Sequence, residues 1–257
     1  MFSSTAIRLQ VETALAKRVP AALTLKIKQA PELFATGLAE VDAVLGGGIP
    51  RGSITEIAGA ASTGKTSFAL SSIAAITQCG ATCAWVDVSD ALSPESAAAA
   101  NIVLKRLLWL RMSAESKERV TDKPWSRLEQ ALKATDLLLQ AGGFAAIVFD
   151  ISDVLPQHIM RVPLSTWYRF RLAAEQARTA LVLLTQSPCA SSCAALSLRC
   201  EPARILPFRC NGETALFEGQ RYSLVRERNR NEGSVIARKK PSVQAEWSAE
   251  TLWSRVR

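Results

Sequence analysis

The chain has 257 residues, 48% of them hydrophobic and 21% charged, with a formal net charge of +8. This length allows one large domain or one domain with a small appendage, and the composition excludes a mostly disordered chain. The basic excess favours polyanionic partners, nucleic acid first. No apolar stretch is long enough for a transmembrane helix, and Arg8 and Glu12 interrupt any signal-peptide core, so we expect a cytoplasmic protein without a membrane partner.

In chain order, the pattern predicts three regions. Residues 3–18 have helical apolar spacing and residues 21–27 (AALTLKI) indicate a short strand, so residues 1–32 are assigned to an N-terminal helix/strand arm. From 33 to 235, apolar strands alternate with helices, which predicts an α/β core with a mostly parallel sheet covered by helices on both faces. Residues 236–257 form a basic, Trp-containing tail.

Within the core, the expected elements are short and regular. Short antiparallel strands such as 195–199 and 221–227 are expected to follow the parallel ones. The predicted helices are 38–45, 65–77, 96–107, 125–141 and 166–178, and the predicted parallel strands are 53–58, 81–87, 108–112, 145–149 and 180–185.

The strongest motif is the glycine-rich loop GAASTGKT between strand 53–58 and helix 65–77, which matches G-x4-G-K-[ST]. Its backbone N–H groups and the helix N-terminus favour phosphate binding. The Lys65 side chain is expected to contact the β- and γ-phosphates, and the Thr66 hydroxyl is expected to bind magnesium. A turn that binds nothing would need no Lys followed by Thr. The residues assigned to nucleotide binding are Gly59, Ala60, Ala61, Ser62, Thr63, Gly64, Lys65 and Thr66.

A second magnesium-binding oxygen is predicted at Asp150. The run AAIVFD places this acid at the end of an apolar strand, and open α/β sheets bind their ligands at the carboxyl ends of strands. An apolar strand that ends in Asp is common, and it indicates a magnesium site only in combination with the phosphate loop. Thr66 and Asp150 are therefore the predicted metal residues, with Mg²⁺ and ATP as cofactors.

Several motifs together resemble the RecA core. They are ELFATGL at 32–38, LGGGIPRG at 45–52, TEI at 55–57, the phosphate loop, VDVSDALSP at 86–94 and LTQ at 184–186. The resemblance covers about residues 30–230 and implies a RecA-like P-loop NTPase fold. It also implies that Gln186 senses the nucleotide, and it suggests single-stranded DNA and further copies of the chain as partners.

Further segments resemble the ImuA-type RecA-like proteins, namely 95–100, 107–111, 130–144 and 161–171. This resemblance implies an accessory protein of inducible (SOS) mutagenic translesion synthesis in DNA repair. Its implied partners are RecA and an ImuB-like polymerase accessory protein, which resembles an inactive Y-family polymerase. A specialised replicative-type polymerase is implied to act in the same system.

The sequence departs from RecA at three places. Where RecA has the glutamate that positions the attacking water, this chain has Ser89, which cannot act as a carboxylate base. We therefore expect weak or absent ATP hydrolysis. Efficient hydrolysis would require Asp90 or Glu95 to replace the carboxylate that is missing at position 89. The segment after Gln186 is short and lacks basic residues, and Arg161 is the sole Arg or Lys between residues 151 and 163, which argues against strand exchange.

Other residues leave two interpretations open. The aromatic and basic residues at 167–171 fit either DNA contact or packing against the core. Arg226, Arg228 and Arg230 fit a solvated edge strand. By resemblance to RecA, Arg228 and Arg230 alternatively fit contact with a neighbouring subunit's nucleotide. Trp247 and Trp253 in the tail fit either partner docking or folding back onto the core.

Three functional hypotheses remain. The first is a nucleotide-gated adaptor that binds ATP–Mg²⁺ and hydrolyses it slowly or not at all. The second is a DNA-dependent ATPase or recombinase that oligomerises on single-stranded DNA. The third is a RecA-fold relic that binds DNA without nucleotide. Ser89 and the short loops favour the first hypothesis, whereas the intact phosphate loop and Gln186 support the second.

Overall fold

The computed structural model describes residues 32–112, 124–208, 216–229 and 243–250. These residues belong to one compact unit. Residues 1–31 of the predicted arm lie outside the described ranges, as do Arg230, Trp253 and the basic cluster 238–240. The assignments made for them from the sequence stay predictions.

The core is built on one large sheet. Six neighbouring strands, β8, β3, β7, β6, β4 and β5 in spatial order, run parallel, and β9 and then β10 are added antiparallel beside β8. The predicted mostly parallel α/β architecture is confirmed. The strands are β3 (Ile54–Ala58), β4 (Cys83–Asp87), β5 (Leu107–Arg111), β6 (Ala146–Asp150), β7 (Ala180–Thr185), β8 (Ala194–Phe208), β9 (Leu216–Asn229) and β10 (Val243–Glu250), with a separate small ladder of β1 (Leu33–Phe34) and β2 (Ile49–Pro50).

Six helices are described. They are α1 (Ala39–Leu45), α2 (Lys65–Gln78), α3 (Pro94–Ala99), α4 (Pro124–Ala141), α5 (Pro156–Ile159) and α6 (Leu164–Ala177). The helix predicted over 96–107 is wrong in its length. It ends at Ala99, because Asn101 adopts a left-handed conformation (φ 65°), and a 3-10 turn at Leu104–Arg106 leads into β5. None of the described helices has both the length and the apolar composition to cross a membrane.

The sheet separates two apolar cores, and alternate residues of each strand enter different ones. On β6, Val148 joins the core on the α2 side, whereas Ile147 and Phe149 join the core on the α4 and α6 side. On β4, Trp85 is buried on the α2 side. Because both faces of these strands are buried, their sequences are continuously apolar rather than alternating.

The C-terminal part of the sheet differs from the sequence expectation. The segment expected as a short antiparallel strand at 195–199 lies within the 15-residue strand β8, which runs parallel to β3 and antiparallel to β9. Residues 243–250 of the predicted tail pair with β9 as an outer strand. Trp247 folds back onto the core, 5.3 Å from the ring of Tyr222 and 6.2 Å from that of Phe68.

Replacing Trp247 by alanine tests the docking of β10. The indole is buried between Tyr222 and Phe68, so Trp247→Ala should lower the free energy of unfolding by about 3–5 kcal/mol, measured by urea denaturation. Leu137→Ala, at an exposed position of α4, is the control and should change it by less than about 0.5 kcal/mol. A loss at Trp247 as small as that of the control would contradict the docked strand.

Candidate nucleotide site

The parallel register brings the predicted site residues to one edge of the sheet. The phosphate loop follows β3, Gln186 follows β7, and Asp150 ends β6, and these three strands are neighbours in that order. Asp87, at the end of β4, lies opposite Asp150 in the register, and Ser89 follows two residues later. Chain segments far apart in sequence therefore meet where open α/β sheets bind ligands.

The phosphate loop is closed by hydrogen bonds of its own. The Lys65 ammonium donates to the carbonyl oxygens of Gly59 (3.0 Å) and Ala60 (2.9 Å), and the Thr63 hydroxyl donates to Ala60 O at 2.8 Å. Ser62 and Gly64 have positive φ angles of 60° and 84°. This alternation turns successive N–H groups to one side, which is the geometry of an anion-binding nest.

The loop fits a phosphate group on two further observations. No side chain caps the N-terminus of α2, although the helix has 14 residues, so its first N–H groups stay available to an anion. Side chains are also excluded from the loop ends. A Cβ on Gly59 would lie 2.6 Å from the Thr63 hydroxyl oxygen, and one on Gly64 would lie 2.4 Å from the Tyr222 ring.

The two predicted metal residues differ in exposure. Thr66 is exposed on the first turn of α2, whereas Asp150 is buried and accepts a hydrogen bond from Ser152 N at 3.0 Å. Burial raises the pKa of the Asp150 carboxyl to about 6, and the nearby charge of Asp87 adds to this. No cluster of three or more metal-binding side chains occurs in the described part of the chain. A magnesium ion here would rely mainly on phosphate oxygens and water, as Mg²⁺ commonly does.

The acidic residues around Ser89 are committed to other contacts. Asp87 accepts hydrogen bonds from the N–H groups of Ala91 and Leu92 and from the Trp109 indole. Asp90, which has φ 57°, forms a two-pronged ion pair with Arg111, both distances being 2.6 Å.

These contacts weaken both carboxylates that could replace the missing base. The hydrogen bond from Arg111 holds the pKa of Asp90 below its usual value. Hydrogen bonds from its own backbone N–H and from the Ser93 hydroxyl lower the pKa of Glu95. A lowered pKa makes a carboxylate a weaker general base.

Gln186 joins two of the loops at this edge. Its amide nitrogen donates to the carbonyl oxygen of Ser152 at 2.8 Å. The residue that follows β7 is thereby tied to the segment that follows Asp150. This position, between the phosphate loop and Asp150, is compatible with the predicted sensing role.

Glu56 belongs to the TEI motif, but the sequence analysis assigns it no role of its own. It is buried in the middle of β3, and its carboxylate accepts from the N–H groups of Cys189 (2.6 Å) and Ala190 (2.8 Å). The strand that carries the phosphate loop therefore holds the segment after Gln186. A charged residue inside the otherwise uncharged strand ITEIA is the signal that could have identified its role, because buried carboxylates need partners.

Tyr222 is a second residue that the sequence did not indicate. Its ring, on β9, lies against Gly64 and packs on Trp247 of β10. Its hydroxyl donates to Gln220 at 2.7 Å. Strand β9 thus contacts the phosphate loop directly, and β10 packs behind that contact.

The structure places several of the aromatic and basic residues whose interpretation the sequence leaves open. Trp167 and Phe170 are buried against Phe149, so they belong to the core rather than to a DNA-binding surface. Arg226 donates to Val44 O (2.8 Å), and Arg228 donates to the carbonyl oxygens of Ser191 and Ala194. The solvated-edge interpretation of β9 is wrong, since β8 and β10 flank it on both sides.

Replacing Glu56 by alanine should loosen the segment after Gln186. The N–H groups of Cys189 and Ala190 would lose their acceptor, at an expected cost of about 2–4 kcal/mol in unfolding free energy. Hydrogen exchange should accelerate over residues 187–193. Glu56→Gln keeps an acceptor oxygen and should lose less, and Glu40→Ala, at an exposed site, should lose almost nothing. Unchanged exchange in Glu56→Ala would contradict the assigned role.

Comparisons with known proteins place the chain among RecA relatives. The family model for the RecA N-terminal domain matches residues 4–165, more than half of the chain. The RecA protein of Deinococcus radiodurans is 35% identical over 142 residues, covering 55% of this chain and 36% of that protein. RecA of Pseudomonas fluorescens is 37% identical over 132 residues, covering 51% of this chain and 34% of that protein. The matched segments thus span about a third of these relatives' length.

A solved structure extends the likeness to the fold as a whole. The crystal structure of the RadB recombinase superposes with a TM-score of 0.55 and 18% identity, covering 83% of this chain and 94% of that chain. The chain belongs to the RecA N-terminal domain family.

Proposed function

We propose that this chain is a nucleotide-gated accessory protein of DNA repair and damage tolerance, which binds ATP and Mg²⁺ and hydrolyses ATP slowly or not at all. In this proposal the phosphate loop from Gly59 to Thr66 binds the triphosphate, with Lys65 at the β/γ-phosphates. Thr66 and Asp150 hold the ion, which neutralises phosphate charge when bound. Gln186 senses the bound nucleotide.

The observation that carries the proposal is the lack of a free carboxylate at the Ser89 position. Hydrolysis needs a group that orients or deprotonates water in line with the γ-phosphate. Ser89 lacks a carboxylate, Asp90 is paired with Arg111, and Asp87 is bound to backbone N–H groups. Binding without efficient turnover suits a protein that signals through its nucleotide state.

The ImuA-type resemblance supplies the biological setting of the proposal. It points to inducible translesion synthesis, with RecA and an ImuB-like polymerase accessory protein as the partners to test. In this setting the ATP-bound chain engages its partner and the free chain releases it. The net charge of +8 favours work near nucleic acid.

A RecA-type, DNA-dependent ATPase is the second candidate, and the position of Gln186 favours it. The Gln186 amide bonds to Ser152, so one contact joins the segments after β6 and β7. In RecA-like proteins, segments at these positions contact single-stranded DNA. DNA bound to these segments would therefore affect the phosphate loop through Gln186.

ATP binding and turnover by the full chain separate the two candidates. We expect ATP–Mg²⁺ to bind, and Lys65→Ala to lose at least tenfold in affinity. Turnover should be no faster than that of Lys65→Ala, with or without single-stranded DNA. Restoring a carboxylate in Ser89→Glu should raise turnover by about tenfold or more, since a positioned base contributes about 10²–10⁴-fold.

Two further variants test whether Asp90 acts as the general base in place of a carboxylate at position 89. If Asp90 served in that role, Asp90→Ala would abolish turnover and Arg111→Ala would raise it, because the ion pair weakens Asp90 as a base. Turnover in the unmodified chain that rises several-fold with DNA and is lost in Lys65→Ala would overturn the adaptor proposal. Partner capture that is equal with and without ATP, and equal for Lys65→Ala, would overturn nucleotide gating.

Asp150→Asn should stabilise the nucleotide-free protein while weakening ion binding. The pKa of Asp150 rises from its ordinary 3.8 in the unfolded chain to about 6 in the folded one. Ionisation therefore opposes folding, and the penalty grows from about pH 4 and is complete above pH 6. At pH 8 we expect Asp150→Asn to gain about 2–3 kcal/mol in unfolding free energy, and at pH 4 almost nothing.

The same variant should bind ATP–Mg²⁺ less tightly than the unmodified chain, because an amide holds Mg²⁺ less well than a carboxylate does. Urea denaturation across pH and calorimetric titration measure the two effects. A stability gain that does not depend on pH would show that burial of the charge is not its cause.

A further inference from the structure

One face of α6 carries apolar side chains that remain in solvent. Leu164, Tyr168 and Leu172 are 53%, 49% and 39% exposed, and Met160, in the turn that leads into α6, is 84% exposed. Leu155, just before α5, is 53% exposed. Five of the nine large exposed apolar residues of the described chain thus fall within 18 consecutive positions, and such concentrations mark interaction surfaces.

This face is distinct from the one that packs on the sheet. Trp167, Phe170 and Ala174 point into the core, whereas Leu164, Tyr168 and Leu172 recur every four residues on the other side of the helix. The Arg171 guanidinium lies 4.9 Å from the centre of the Tyr168 ring and fixes that ring at the surface. We call Leu164, Tyr168 and Leu172 the α6 stripe.

The residues of the α6 stripe and two exposed charges that flank them are placed symmetrically in the sequence about Tyr168. Leu164 and Leu172 lie four residues before and after it. Arg161 and Glu175 lie seven residues before and after it, carry opposite charges, and are exposed. Neither of these two side chains has an ion-pair partner within the described chain.

We propose that α6 is the contact helix of a two-fold homodimer of this chain. In the dimer two α6 helices pack antiparallel, with Tyr168 at the axis. Leu164 of one copy meets Leu172 of the other, and Arg161 meets Glu175, so that each contact occurs twice. Opposite charges at matching sequence positions on either side of Tyr168 fit a second copy better than a partner of uniform charge.

The size of the stripe sets the strength of this association. A helix of 14 residues is about 21 Å long, and such a contact belongs with small, weak interfaces. We therefore expect a reversible dimer with a dissociation constant in the micromolar range. The interface uses no residue of the nucleotide site, so it stands independently of the proposed function.

Sedimentation equilibrium of the full chain without nucleotide tests the proposal. Between about 1 and 100 µM the unmodified protein should shift from monomer to dimer. Tyr168→Glu should remove the shift, because it places two carboxylates at the axis. Leu104→Glu alters a similarly exposed leucine outside the stripe and should leave association unchanged. Equal thermal unfolding of the variants verifies that each one folds.

Charge reversal identifies the antiparallel geometry. Arg161→Glu and Glu175→Arg should each raise the dissociation constant by about tenfold, since two ion pairs become two repulsions. The double variant should return to within about threefold of the unmodified chain. A protein that stays monomeric throughout overturns the proposal, as does association that Tyr168→Glu leaves intact. A monomer that loses binding to a polymerase accessory protein upon Tyr168→Glu would assign the stripe to that partner instead.

Discussion

The parallel register of β3, β7, β6 and β4 is the constraint on which the candidate site depends. Each strand delivers one functional group at its carboxyl end, and hydrogen bonding between the strands sets the positions of these groups along the edge. Burial on both faces keeps the register from slipping, because a shift of one residue would move every side chain into the opposite core.

The acidic residues near this edge show how one chemical group serves different ends. Glu56 and Asp87 are buried and accept backbone N–H groups, so they hold loops in place. Asp90 forms an ion pair with Arg111 at the surface. Burial, with a smaller contribution from the neighbouring charge of Asp87, makes the ionised form of Asp150 costly despite its hydrogen bond from Ser152 N. That unfavourable ionisation is what a divalent cation would relieve.

Local patterns predicted most of the core and the residues of the candidate site. The phosphate loop and the apolar strand before Asp150 lie in sequence beside the elements that position them, so spacing was enough to find them. The role of Glu56 was not predicted from the TEI motif, because its partners are more than 130 residues away. The end of α3 was missed because Asn101, which adopts the left-handed conformation beyond the helix, is a weaker stop signal than glycine. The long strand β8 gains its regular structure from pairing with β3 and β9, which depends on the whole fold.

The contact of Tyr222 with Gly64 links the last strand of the sheet to the phosphate loop. Trp247 supports Tyr222, and Tyr222 in turn covers the glycine that begins α2. Whatever displaces β10 removes that support and frees the back of the loop. Thermodynamic reciprocity then requires that a phosphate ligand which prefers the supported loop also strengthens the attachment of β10. The attachment of β10 to the sheet and the binding of such a ligand to the loop would therefore strengthen each other.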